Sequence, residues 1–134
     1  MAREFYHSDA VLHPVPDTYF ERTADEALRS DVYAEIFLFE CENEAAGYGL
    51  IAKTYSQEAG GMVWWIEEVY VREAFRSKGI GREFFAYLDK VKGSAVTRMR
   101  LEVEEDNTRA VALYKKLGYK PLEYAQMIKD APLK

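Results

Sequence analysis

Cysteine is nearly absent from this chain. Cys41 is the only one in 134 residues, which excludes an internal disulfide, and its apolar surroundings read as those of a buried thiol. Histidine is almost as scarce: His7 and His13 stand alone, with no Cys or His cluster beside them, so no metal site is expected. No long Lys or Arg run occurs and the net charge is −5, which argues against broad binding to nucleic acid through phosphates. There is no signal peptide and no apolar run long enough to span a bilayer, so the expectation is a cytoplasmic protein away from membranes. Repeats, linkers and low-complexity stretches are missing too. What remains is a chain 49% hydrophobic, rich enough in apolar side chains to build a core, and the expectation is one domain over residues 1–134.

Along the chain, Arg3 to Asp9 reads as the tail of a helix that Pro14 and Pro16 cannot continue. Thr18 and Glu21 form a candidate capping box for a helix running to about Arg29, with Phe20, Ala24, Ala27 and Leu28 as its apolar side. Tyr33 to Glu42 is apolar on both faces, as in a strand covered on both sides. Ala45 to Tyr55 returns as a second strand, and its Gly47 and Gly49 suggest a bulge or a close backbone approach. Met62 to Val71 is the third, so Tyr33–Val71 reads as an antiparallel meander. Trp64 and Trp65 alternate faces, and at least one belongs to the core.

The stretch Ile66–Arg82 organises the rest. A strand ends in a polar loop, then Arg76-Ser77-Lys78-Gly79-Ile80-Gly81-Arg82 opens a helix that runs from Gly79 to about Lys92. Such a helix presents unpaired amides and the positive end of its dipole, and the two glycines let a ligand come close. Arg76, Lys78 and Arg82 add charge, which is the chemistry of a diphosphate site. The spacing is neither the dinucleotide fingerprint nor a P-loop. Met99 to Glu104 then alternates as a strand. Asp106 and Asn107 can cap a helix with Ala110, Leu113, Tyr114 and Leu117 on one face and Gly118 at its end. Tyr119–Leu122 and Ala125–Ile128 read as two short final strands.

Arg76-Ser77-Lys78-Gly79-Ile80-Gly81 resembles the Arg/Gln-x-x-Gly-x-Gly/Ala signature of the GNAT superfamily of N-acetyltransferases. A second block agrees at the family's spacing: Leu101-Glu102-Val103, Asn107, Ala110, Leu113-Tyr114 and Gly118-Tyr119. The resemblance covers Trp64 to about Tyr119. It implies an α/β (α+β) fold with a mixed, mostly antiparallel central sheet and helices on both faces. It also implies acetyl-CoA as cosubstrate, entering where the Val69–Val71 strand splays from the next one.

By the same resemblance, the turn from Arg76 through Ser77, Lys78, Gly79, Ile80 and Gly81 to Arg82 binds the pyrophosphate of coenzyme A. Val69 and Val71 offer strand amides, and Asn107 contacts the pantetheine arm as well as capping its helix. Tyr114 matches the tyrosine that protonates the departing thiolate, although a tyrosine on an apolar helix face is more often core. Glu67 and Glu68 point to opposite faces in an ideal strand, and a carboxylate inside an apolar strand argues for a wet cleft or an ion pair. Glu67 is favoured as the base that deprotonates the acceptor, with Glu68 the alternative. Tyr6, His7, Asp9, His13 and Tyr19 lie where the family places acceptor contacts. The implied reaction is acetyl transfer to a primary amine of a small molecule or peptide, by direct attack in a ternary complex. The acidic balance and the Ile66-Glu67-Glu68 run lean toward a polyamine-like acceptor. The rival is a non-catalytic acyl-CoA-binding or regulatory module.

The family's first edge strand has no counterpart before the helix-like opening. That leaves Tyr33–Cys41 as an apolar edge, which a second copy of the chain or the N-terminal segment is expected to cover.

Overall fold

The computed structural model describes residues 1–6 and 15–132, the side chain of Arg3 excepted. The chain forms two compact units, Met1–Glu102 and Val103–Lys134. The first is built on a four-stranded sheet in the order β1 (Ala34–Cys41), β2 (Glu44–Ser56), β3 (Gly61–Val71), β4 (Val96–Leu101). The first three strands form the anticipated antiparallel meander, and β4 joins β3 in parallel.

Helices cover both faces. α1 (Ala2–Tyr6) and α2 (Asp17–Arg29) lie on one side, α3 (Ile80–Val91) on the other. α1 is too short to hold itself as a helix. Phe5 meets Tyr48 and Tyr70 edge-on, Glu4 accepts the Tyr70 hydroxyl at 2.9 Å, and Tyr6 packs on Phe20 of α2. On the opposite face Phe84 packs against Phe37 and Phe39. Gly49 lies beneath it, because a Cβ there would run into the Phe84 ring. Ile51, Val63 and Leu88 are fully buried between these layers, and Leu88→Ala should cost about 2–5 kcal/mol. Trp64 is core. Trp65 is half-exposed under the Arg100 guanidinium, 3.9 Å from its ring centre.

Several local expectations are corrected. α2 starts at Asp17, so Thr18 sits inside its first turn and cannot cap; Pro16 is the N-cap, with no side-chain hydrogen bond. Leu28 points to solvent, and the covered stripe is Tyr19, Phe20, Thr23, Ala24 and Ala27. β1 is covered on one face only: Phe39 is buried, whereas Leu38 and Ile36 are exposed. Cys41 is half-exposed because it ends that strand. β4 begins three residues earlier than its alternation suggested and stops before the acidic run that starts at Glu102. β1 forms one edge of the sheet, paired with β2 on its inner side, and among the described residues no strand pairs with its outer side. α1 lies on the sheet face rather than along that edge.

In the second unit, Asn107 caps α4 (Thr108–Lys116), its Oδ1 accepting the Ala110 amide at 3.3 Å. Leu117 is exposed beyond the helix. The two final strands do not form. Residues 119–132 have no regular structure and their Leu122, Tyr124, Met127 and Ile128 are exposed, since an extended segment without a paired neighbour is not a stable strand.

Candidate active site

Two features of the first unit bear chemistry, and β3 joins them. The first is a bulge. Leu50 pairs with Glu68 and Ile51 with Ile66, so Glu67 is the extra residue on β3. A bulge breaks the two-residue alternation and re-aims side chains. Glu67 and Glu68 therefore do not point to opposite faces: both line one cleft of about 530 Å³ between the sheet, α1 and α2. The bulge also marks where β3 and β4 part, because their pairing ends at Ile66 and Leu101. Val69 and Val71 lie past that point, half-buried and paired on the other side with Gly49 and Gly47 of β2.

The two carboxylates have different surroundings. Glu68 is 8% exposed and accepts two tyrosine hydroxyls, Tyr6 at 3.3 Å on Oε2 and Tyr48 at 3.2 Å on Oε1. Burial raises its pKa, the two hydroxyls oppose that rise, and the neighbouring Glu67 charge adds to it. In return, burial and the Glu68 carboxylate push Tyr6 up to about 12 and Tyr48 higher still, so both stay protonated donors. Glu67 is exposed to the cleft. Its pKa is also raised, first by partial loss of water and then by the Glu102 carboxylate, a push that the remaining solvent screens.

The second feature is the turn after β3. A 3₁₀ turn, Glu73–Phe75, leads into Arg76, whose Nε donates to the Val71 carbonyl at 2.8 Å and whose guanidinium covers Tyr70. Lys78 leans over Phe75. Ser77 and Gly79 both have left-handed backbone, at φ 65° and 81°. Gly79 is the N-cap of α3 and no side chain caps the helix, so its first amides lack side-chain acceptors. A Cβ on Gly79 or Gly81 would meet nothing within 4 Å. The basic side chains thus brace the loop while the backbone amides of Ile80, Gly81 and Arg82 open the helix.

Of the residues anticipated around an acceptor, Tyr6 and Tyr19 line the cleft, whereas His7, Asp9 and His13 lie outside the described residues. Tyr48 was not singled out. Its signal was the Gly47-Tyr48-Gly49 run, where one large side chain is kept between two that must be small. In the second unit, Asn107 is the helix cap already described, and Tyr114 is half-buried 6.1 Å from the Tyr119 ring, with burial raising its pKa. Among the described residues no helix is long and apolar enough to cross a membrane.

The sequence profile of the Acetyltransferase (GNAT) family matches residues 2–119. Thialysine N-epsilon-acetyltransferase of Mus musculus is 31% identical over 136 residues, covering 91% of this chain and 76% of that protein. The same enzyme of Bos taurus is 30% identical over 119 residues, covering 78% of this chain and 69% of its own. Among solved structures, a possible acetyltransferase from Clostridium difficile 630 superposes with a TM-score of 0.77 at 21% identity, covering 90% of this chain and 81% of that one. The structure of AAC(6')-Iy in complex with the bisubstrate analog CoA-S-monomethyl-acetylneamine superposes with a TM-score of 0.75 at 17% identity, over 97% and 87% of the two chains.

Proposed function

This chain belongs to the GNAT family of acetyltransferases, and from that premise we propose that Glu67, the Ser77–Arg82 turn and Tyr114 carry out transfer of an acetyl group from acetyl-CoA to a primary amine. The enzyme is an acetyl-CoA-dependent N-acetyltransferase. The carrying observation is that one strand, β3, leads from a carboxylate open to a cleft into an uncapped helix N-terminus beside open space.

The turn fits a diphosphate. Its left-handed Ser77 and Gly79, the uncapped amides of Ile80, Gly81 and Arg82, and the space above Gly79 and Gly81 suit close approach of an anion. Arg76 and Lys78 add charge while bracing the loop. Acetyl-CoA supplies the thioester. Strand amides at Val69 and Val71, past the point where β4 leaves β3, would align it and polarise its carbonyl. Glu67 takes a proton from the acceptor ammonium, and the freed amine attacks the thioester carbon. As the C–S bond breaks, the second proton on nitrogen passes to water, and Tyr114 gives its hydroxyl proton to the thiolate and is reprotonated from solvent. Glu68 holds the wall of the cleft through Tyr6 and Tyr48. The roles of Asn107, on the pantetheine arm, and of Tyr114, at the thiolate, come from the family motif, and we read residues 1–134 as one acetyltransferase domain. The family match spans both units, which supports that reading.

Amine-dependent release of CoA tests this. Wild type should release CoA with a primary amine present, and Tyr114→Phe should lower kcat about tenfold or more with little change in the KM for acetyl-CoA. Thermal stabilisation by acetyl-CoA without release for any amine would instead favour a non-catalytic acyl-CoA-binding module.

We also place the protein in the cytoplasm, since the lone thiol of Cys41 suits a reducing compartment. A homodimer along the outer edge of β1 would cover its unpaired backbone groups. Light scattering showing a monomer at all concentrations would overturn the dimer.

A further inference from the structure

The acceptor cleft is unevenly furnished. Both oxygens of Glu68 already accept tyrosine hydroxyls, which leaves Glu67 as the carboxylate open to an incoming cation. Beyond it the walls turn apolar: Phe20 of α2, Leu50 of β2, and Ile36 and Leu38 of β1. Leu38 is 66% exposed, although it faces this cleft. Among the described lining residues there is no second open carboxylate and no Lys, Arg or His side chain. β1 and β3 are separated by two strand spacings, about 10 Å; Ile36 stands in register with Leu50 and Glu68, and Leu38 lies two residues further along β1, so Leu38 lies near the far end of an extended ligand whose ammonium meets Glu67.

From this asymmetry we infer that the acceptor is a monoamine carried on an uncharged apolar body, its ammonium at Glu67 and its hydrocarbon against Ile36 and Leu38. This specificity rests on the acetyl-transfer reading above and departs from the polyamine leaning of the Ile66-Glu67-Glu68 run. Among the described lining residues a distal ammonium would meet apolar side chains and no open carboxylate, and a distal carboxylate would find no Lys, Arg or His side chain. The exposed apolar side chains of β1 are then part of a binding surface.

Octylamine and diaminooctane differ only in whether the far end is methyl or ammonium, so they separate the cases. Binding to the CoA-loaded protein by calorimetry, together with kcat/KM where turnover occurs, should favour octylamine by about tenfold. Leu38→Glu places an anion at the far end on a side chain that is already exposed, so the fold is retained, as a thermal melt will verify. It should reverse the order toward diaminooctane, while Leu38→Gln should weaken octylamine without helping the diamine. Equal binding of the two amines, a preference of wild type for diaminooctane, spermidine or lysine, or an unchanged order in Leu38→Glu overturns the inference. Binding in the predicted order without turnover would uphold it and count against catalysis alone.

Discussion

The glycine turn and the acidic cleft sit on the same strand and are made in opposite ways. The turn is a contiguous run whose proposed recognition groups are backbone amides, with the Arg76 and Lys78 side chains serving as braces. The cleft is assembled from α1, α2, β1, β2 and β3, and its chemistry lies in side chains brought from distant positions. One is positive and shaped by φ angles; the other is negative and shaped by burial. On the proposed reading a single strand serves two substrates with separate requirements, so each region should be damaged without the other.

The largest effect should come from the cleft. Glu67→Gln removes the proposed base and should lower kcat by about a hundredfold or more, with the KM for acetyl-CoA nearly unchanged. Because the base works ionised and its pKa is raised, wild-type kcat/KM should climb with pH above the ordinary carboxylate range. The variant should lose that limb. An unchanged profile would remove Glu67 from the chemistry.

A smaller loss is expected at the turn. Gly79→Val forces a β-branched residue to φ 81°, at a strain of about 1–3 kcal/mol, and puts methyl groups into the space beside α3. The KM for acetyl-CoA should rise about tenfold, while amine binding by calorimetry stays within twofold. Equal damage to both would show that the regions are not separable.

The smallest effect concerns Glu68. Its folded pKa is raised above the ordinary 4.5 by burial, so the native state holds the proton more tightly than the unfolded chain. Ionising it therefore costs stability, a cost absent below about 4.5 that grows as pH rises through the elevated value. Glu68→Gln carries no such penalty. Its Tm relative to wild type should improve as pH moves from acid to neutral, and a gap constant with pH would contradict the burial argument.

The same contrast governs what could be read in the sequence. The turn was legible because its determinants are local: two glycines, flanking basic residues, and apolar spacing that starts a helix. The meander and the Asn107 cap were legible for similar reasons. The cleft was not. Strict alternation sends Glu67 and Glu68 apart, and only the extra residue against Leu50 and Ile51 brings them together. Two adjacent carboxylates in a strand of buried neighbours were the one local hint that alternation fails there. Tyr6 and Tyr48 reach Glu68 across 62 and 20 positions, a pairing that no periodicity encodes. The final strands were misread because alternation marks a segment that can pair, and cannot supply its partner.

The most direct measurement follows a labelled acetyl group. Acetyl-CoA deuterated in its acetyl methyl, mixed with enzyme and octylamine, should yield labelled N-acetyloctylamine and CoA in equal amounts by mass spectrometry. CoA appearing with labelled acetate and no amide, or acetyl-CoA bound but left intact across a panel of primary amines, would contradict acetyl transfer by this chain.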